Sequence, residues 1–260
     1  MGGLIAGGAD PADIVATVRR AERADELAKR HHGITAIAGE EEPENNKQAT
    51  TGAAVVILGV KPVGIADLAR EIGDSLAPDA IVISVAAAVS LEQLEAALPA
   101  GQPVIRTMPN TPAKLGRGVV SVSPGTHCSA AQLQLAKDVL AAAGTVVEIP
   151  ESQVDALSAI SGSGPAYAFY LAEAMADAGV ELGLDRELSL LIARETVAGA
   201  GLMLAEPGAD PTALRKAVTS PNGTTERAVA TFDERGLPAI IADGARAAAA
   251  RAAEITQQLA

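Results

Sequence analysis

AAVVILGVKPVGIADLAREIGDSLAPDAIVISVAA, residues 53–87, decides the fold. It opens on AAVVILGV (53–60) and closes on AIVISVAA (80–87), two runs of apolar residues with no polar alternation. A strand that is apolar on both faces is buried on both, as in a parallel sheet covered by helices. Between the runs, IADLAREIGDSL (65–76) spaces its apolar residues as a helix does, so the stretch reads strand, helix, strand. The same grammar extends outward. DIVATV (13–18), GITAI (33–37), VIRTM (104–108), GVVSVS (118–123) and TVVEI (145–149) read as strands. RAERADELAKRH (20–31), SLEQLEAAL (90–98) and SAAQLQLAKDVLAAAG (129–144) read as helices between them. An α/β domain built on a doubly wound parallel sheet is predicted for residues 1–150.

After Pro150 the strands stop. LSAISGSGPAYAFYLAEAMADAGVELGL (157–184), LSLLIARETVAGAGLMLAE (188–206), PTALRKAV (211–218), GTTERAVATFDERG (223–236) and PAIIADGARAAAARAAEITQQL (238–259) all read as helices. Gly183, Gly208 and Gly236 stand near their ends, where left-handed caps occur. The boundary is placed at Pro150–Asp155, with a second, all-helical domain over 151–260. Its faces are rich in Ala and Gly, so we expect it to complete its core against a partner subunit.

Bulk composition narrows the function. The chain has 260 residues, 48% of them hydrophobic, and a formal net charge of -12 with both signs scattered. Phosphate backbones need a basic face, so nucleic acid is not the expected partner. A single cysteine, Cys128, excludes an internal disulfide framework and fits a reducing compartment. No apolar run reaches about 18 residues, and MGGLIAGGADP has no secretory character. The expectation is a cytoplasmic protein that does not bind membranes.

In an open α/β sheet, ligands lie beyond the carboxyl ends of the strands. Three such ends carry unusual residues. Arg19 and Arg20 follow the first strand, with Arg23 a turn later; they suit a ribose 2′-phosphate, or equally a solvated helix start. Gly59-Val60-Lys61-Pro62 ends the third strand, and glycine followed by a proline-fixed turn lets the backbone approach a flat ligand. Ala86-Ala87-Ala88 leaves space at the fourth. Asn110-Thr111, between two prolines, offers an amide and a hydroxyl at the fifth, or forms a plain turn. A glycine-rich phosphate loop is missing: MGGLIAGGA is too short for a strand, loop and helix, and reads as the end of a helix followed by a glycine turn. We therefore expect the natural reading frame to begin further upstream, because the missing strand is central in the usual order.

TSPNGTTERAV (219–229) gathers four hydroxyls and an Asn-Gly pair ahead of a helix. One N-cap needs one hydroxyl. The surplus, with the free N–H groups and positive dipole of a helix start, suits an anion.

The order of NKQATTGAAVVILGVKP (46–62), VIRTMPNTPAKLGRG (104–118), SAISGSGPAYAFYLAEAMADAGVELGL (158–184) and LRKAVTSPNGTTERAV (214–229) resembles pyrroline-5-carboxylate reductase. The resemblance covers the chain from about residue 13 to the end. SGSGPAYAF together with VTSPxGTT is specific; VKP or the arginines alone are not. It implies a Rossmann-like domain, truncated at its N-terminus, followed by an all-helical dimerisation domain. It further implies reduction of Δ1-pyrroline-5-carboxylate to L-proline by hydride transfer from NADPH or NADH, in homodimers that assemble into rings. Implied cofactor contacts fall on Asn46, Gly59, Val60, Lys61, Pro62, Ala86 and Ala87. The implied substrate loop falls on Ser220, Thr224 and Thr225; we expect Asn222 and Gly223 between them to belong to the same site, and Thr225 to hold the imine nitrogen by its hydroxyl. Glu206 matches an acidic position. Asn222 and Ala88 stand where glycine is usual.

Two other readings are open. A hydroxy-acid reductase related to 6-phosphogluconate dehydrogenase would carry a Lys and an Asn on the first interdomain helix, and SGSGPAYAFYLAEAMADAG has neither. A catalytically impaired dimerising fragment would follow from the missing phosphate loop. No metal site is expected. His31 and His32 read as partners of a helix C-terminus, Cys128 lacks a nearby His or second Cys, EEEPEN (40–45) reads as a solvated loop, and Tyr167 and Tyr170 read as packing residues.

Overall fold

The computed structural model describes residues 2–259. Its elements follow in chain order. The first half holds α1 (Gly2–Ala6), β1 (Val15–Val18), α2 (Ala21–Arg30), β2 (Thr35–Ala38), α3 (Asn45–Thr50), β3 (Val55–Leu58), α4 (Ile65–Ile72), β4 (Ile81–Ser84), α5 (Leu91–Ala97), β5 (Val104–Pro109), β6 (Gly118–Pro124), α6 (Ala130–Ala141) and β7 (Gly144–Glu148). The second half is helical: α7 (Val154–Leu157), a π-turn (Ser158–Gly162), α8 (Gly164–Glu181), α9 (Arg186–Leu204), α10 (Pro211–Ala217), α11 (Thr224–Glu234) and α12 (Leu237–Leu259). All seven expected strands form. So does the expected helix and glycine turn at the start, where α1 ends at Gly7-Gly8. The short helix α3 was not expected.

The chain divides into two compact units, Met1–Gly162 with Ala249–Ala260, and Ser163–Ala248. In the first, β1 and β2 form a parallel pair, and β3-β4-β5-β6-β7 form a five-stranded sheet. The expected parallel sheet forms with one departure: β5 and β6 pair antiparallel, with Met108 opposite Ser121. Only residues 110–117 join them, too few for the crossover that parallel neighbours require. The other neighbours in both sheets are parallel.

Strand alternation divides the core. Val56, Leu58, Val82 and Val104 pack on one face with Ile65, Ala69 and Ile72 of α4 and Leu94 of α5. Ile81, Ile83, Ile105, Val120 and Val122 pack on the other with Ala136 and Leu140 of α6. Each of the buried Val, Leu and Ile side chains contributes roughly 1.5–3 kcal/mol. Ser90 and Ser129 cap α5 and α6 through complete capping boxes, which fixes where both helices begin.

The second unit is built differently. Gly179 of α8 faces Ser189 of α9, where a Cβ would lie 2.8 Å from the serine hydroxyl. Among described residues 163–248, Ala176 and Ala193 are the only fully buried apolar side chains. Phe169, Tyr170, Leu171, Leu202 and Met203 are all more than half exposed.

Candidate active site

In an open α/β sheet ligands lie beyond the carboxyl ends of the parallel strands, which in the first unit belong to two sheets, β1-β2 and β3-β4-β5-β6-β7. At β1 and β2, backbone bonds from Gly39 N to Val18 O (2.8 Å) and from Glu40 N to Arg19 O (3.1 Å) tie the two strand ends together. Asn45 stands between them, 4% exposed, donating through Nδ2 to Val18 O (3.4 Å) and Ile37 O (3.3 Å). Sequence reasoning missed this residue. Its neighbour Asn46 instead donates to Glu71 Oε1 at 3.0 Å, which joins α3 to α4.

Arg19 and Arg20 are exposed, and neither enters an ion pair among the described residues. Arg23 is committed to Glu26 at 2.7 Å, and its guanidinium holds that carboxyl below the usual carboxylate range. Arg20 is the N-cap of α2 with no side-chain capping bond.

At β3, Gly59, Val60 and Lys61 are exposed, and a Cβ on Gly59 would meet nothing within 4 Å. Lys61 caps the turn that Pro62 begins, and its carbonyl accepts from Gly64 N at 2.9 Å. Beyond β4, Ala86 is buried, Ala87 exposed, and Ala88 takes φ 63. An alanine held left-handed costs about 1–2 kcal/mol. This is the physical content of alanine standing where glycine is usual.

At β5, both ends of the Asn110 amide are spent within the protein. Nδ2 donates to Ser161 O and Oδ1 accepts from Val119 N, each at 2.9 Å. Asn110 therefore ties the loop to β6 and to the π-turn of the SGSG motif.

These residues fit part of a nicotinamide dinucleotide. The bare Gly59 edge admits a flat ring system, and the two unpaired arginines suit a ribose phosphate. The early glycines do not fit a pyrophosphate. Cβ atoms on Gly3 and Gly7 would meet Ala142, so both serve the packing of α1.

The polar bend lies in the second unit. Gly223 is the N-cap of α11, and no side chain caps this helix. Thr224 and Thr225 stand inside its first turn, so they are not the capping residues. The first backbone bond of the helix runs from Arg227 N to Gly223 O at 3.4 Å, leaving the N–H groups of Thr224 and Thr225 pointing out of it. The hydroxyls of Ser220, Thr224 and Thr225 have no hydrogen-bond partner among the described residues. Thr219 does not join them, because its Oγ1 donates to Arg215 O at 2.6 Å.

Asn222 takes φ 60, the left-handed conformation that asparagine tolerates. Its N–H donates to Glu226 Oε2 at 2.8 Å. Glu226 was also missed by sequence reasoning, although a Glu three residues after an N-cap is the usual signal for a reach back across a helix start. Glu206 is exposed just beyond α9.

Elsewhere, no group of three or more His, Cys, Asp or Glu could hold a metal among the described residues. Burial pushes the Cys128 thiol up, away from nucleophile behaviour. No described helix is long and apolar enough to cross a membrane.

Comparison with known proteins agrees with both halves. The family model for pyrroline-5-carboxylate reductase dimerisation matches residues 151–255, and that for NADP oxidoreductase, coenzyme F420-dependent, matches residues 1–88. The pyrroline-5-carboxylate reductase of Pseudomonas aeruginosa is 40% identical over 260 residues, covering 100% of this chain and 93% of the relative. The structure of a pyrroline-5-carboxylate reductase from Coxiella burnetii superposes with a TM-score of 0.90 at 34% identity, covering 97% of this chain and 92% of that one. The pyrroline carboxylate reductase of Plasmodium falciparum, solved with NADP bound, shares the fold with a TM-score of 0.79 at 21% identity, over 98% of this chain and 92% of that one. On identity sustained across its whole length, the chain belongs to the pyrroline-5-carboxylate reductase family.

Proposed function

We propose that this chain reduces Δ1-pyrroline-5-carboxylate to L-proline, the last step of proline biosynthesis, in the cytoplasm. The observation that carries the reading is the uncapped start of α11. Two outward amides and the hydroxyls of Ser220, Thr224 and Thr225 have nothing of their own to bind there. A small carboxylate fits that need, and family membership says which one.

The roles follow from geometry and charge. Ser220 and the amides of Thr224 and Thr225 bind the substrate carboxylate, helped by the positive end of the helix dipole. Asn222 and Gly223 shape the turn. Thr225 Oγ1 accepts from the protonated imine nitrogen, so the ring is fixed at two points. A nicotinamide cofactor supplies a hydride to the imine carbon when bound. The nitrogen keeps its proton throughout, so no strong acid is required, and acceleration comes from positioning and exclusion of water. Arg19 and Arg20 would hold the cofactor at its ribose phosphate, and the Gly59-Val60-Lys61-Pro62 turn with Ala86 and Ala87 would line the space for its ring. Asn46 and Asn110 act by fixing these strand ends.

Self-association completes the second unit. Its bare apolar side chains are the surface for a homodimer, and dimers assemble further into a ring. NADPH is the preferred donor on the strength of the two free arginines.

Following nicotinamide absorbance while the purified chain is mixed with Δ1-pyrroline-5-carboxylate and either NADPH or NADH tests this. Substrate-dependent oxidation of the nucleotide is expected. Its absence with both nucleotides would favour an impaired fragment instead.

A further inference from the structure

We infer that Glu40 sets the balance between the phosphorylated and unphosphorylated forms of the nicotinamide dinucleotide. This rests on the reading of the strand ends as the cofactor edge.

Three observations converge. First, Glu40 leaves the carboxyl end of β2 and sends its side chain to the start of the neighbouring helix, where Oε2 accepts from Ala21 N at 3.4 Å. Ala21 is the first residue of α2, directly after Arg20. Second, the carboxylate is not neutralised by either arginine. Glu26 pairs with Arg23 and Glu44 with Lys47, whereas Glu40 and its neighbours Glu41 and Glu42 enter no ion pair among the described residues. Third, the frame beneath is built rather than loose. Glu40 N is bonded to Arg19 O, and the buried Asn45 amide pins the last carbonyl of β1, Val18 O, and the penultimate one of β2, Ile37 O.

The adjacent ends of β1 and β2 thus present two unpaired cations and one anion, held on a shared frame. A carboxylate beside this position accepts from a ribose 2′-hydroxyl, whereas arginines receive a 2′-phosphate. Glu40 already holds the amide at the helix start that a phosphate would take, and its charge repels one. The edge therefore accepts both nucleotides, and Glu40 works against the preference that Arg19 and Arg20 create.

Binding of ADP-ribose and 2′-phospho-ADP-ribose tests the inference without catalysis, by calorimetry on wild type, Glu40→Gln and Arg20→Gln. Glu40 is exposed, so its amide variant is expected to fold normally. In Glu40→Gln the phosphorylated ligand should bind roughly fivefold tighter and the unphosphorylated one roughly threefold weaker, as for a single partly screened charge. The kcat/KM ratio of NADPH to NADH should move the same way, and Arg20→Gln should move it the other way. If Glu40→Gln leaves the ratio of the two affinities unchanged, or shifts both together, the inference is wrong while the cofactor edge stands. If wild type binds neither ligand, the edge reading fails and this one with it.

Discussion

Thr225 is half-buried in the first turn of α11, with a hydroxyl that nothing in the described chain satisfies. A hydroxyl bonded to a charged group is worth roughly 1.5–3 kcal/mol, so Thr225→Ala should lower kcat/KM by about 10- to 100-fold. Thr225→Ser should keep most of the activity, because the hydroxyl remains. Neither variant should shift the thermal midpoint appreciably, since no capping bond is lost; a fall in kcat/KM that merely tracks a fall in stability would contradict the assignment. The density of hydroxyls in TSPNGTT made this bend legible as a candidate anion site. Which of them take part was not legible, because Thr219 turns back to Arg215 O through a bond that sequence does not announce. Asn45 escaped notice for a similar reason. Two adjacent asparagines look alike in sequence, and only the fold decides that one is buried between strand ends while the other reaches Glu71.

The turn that positions those hydroxyls depends on a left-handed residue. Asn222 at φ 60 is steadied by its own N–H bond to Glu226. Asn222→Gly should leave activity near wild type, and Asn222→Val should cost about 1–2 kcal/mol in the turn. Thermal unfolding together with KM for the imine reads both effects; equal behaviour of the two variants would show that the conformation does not matter. Among the elements, strands such as AIVISVAA were legible because both of their faces are apolar. The helix α3 was not, since NNKQAT has no apolar stripe and is held by contacts remote in sequence, such as the Thr50 hydroxyl 2.9 Å from Ser75 Oγ. The direction of β6 was also hidden. Its composition matches the parallel strands, and only the short link 110–117 distinguishes it.

At the scale of the whole molecule, a buried ion pair ties the sheet to the start of the helical run. Arg106 on β5, 5% exposed, donates to Glu151 Oε1 at 2.8 Å, and the same oxygen accepts from Leu91 N at 2.7 Å. Glu151→Ala leaves a buried guanidinium unpaired and should cost about 3–5 kcal/mol in urea unfolding. A loss below about 1 kcal/mol would show that the pair behaves like an exposed one. The helical unit leaves Phe169 70% and Tyr170 72% exposed, and the family model that matches it is one of dimerisation, in line with the self-association its Ala- and Gly-rich sequence suggested. The polar bend of α11 remains the centre of the account. A crystal structure of the chain with L-proline bound tests it most directly. The proline carboxylate is expected against Ser220 and the Thr224 and Thr225 amides, with its ring nitrogen on Thr225 Oγ1. Proline bound elsewhere, with that bend left open to solvent, would contradict it.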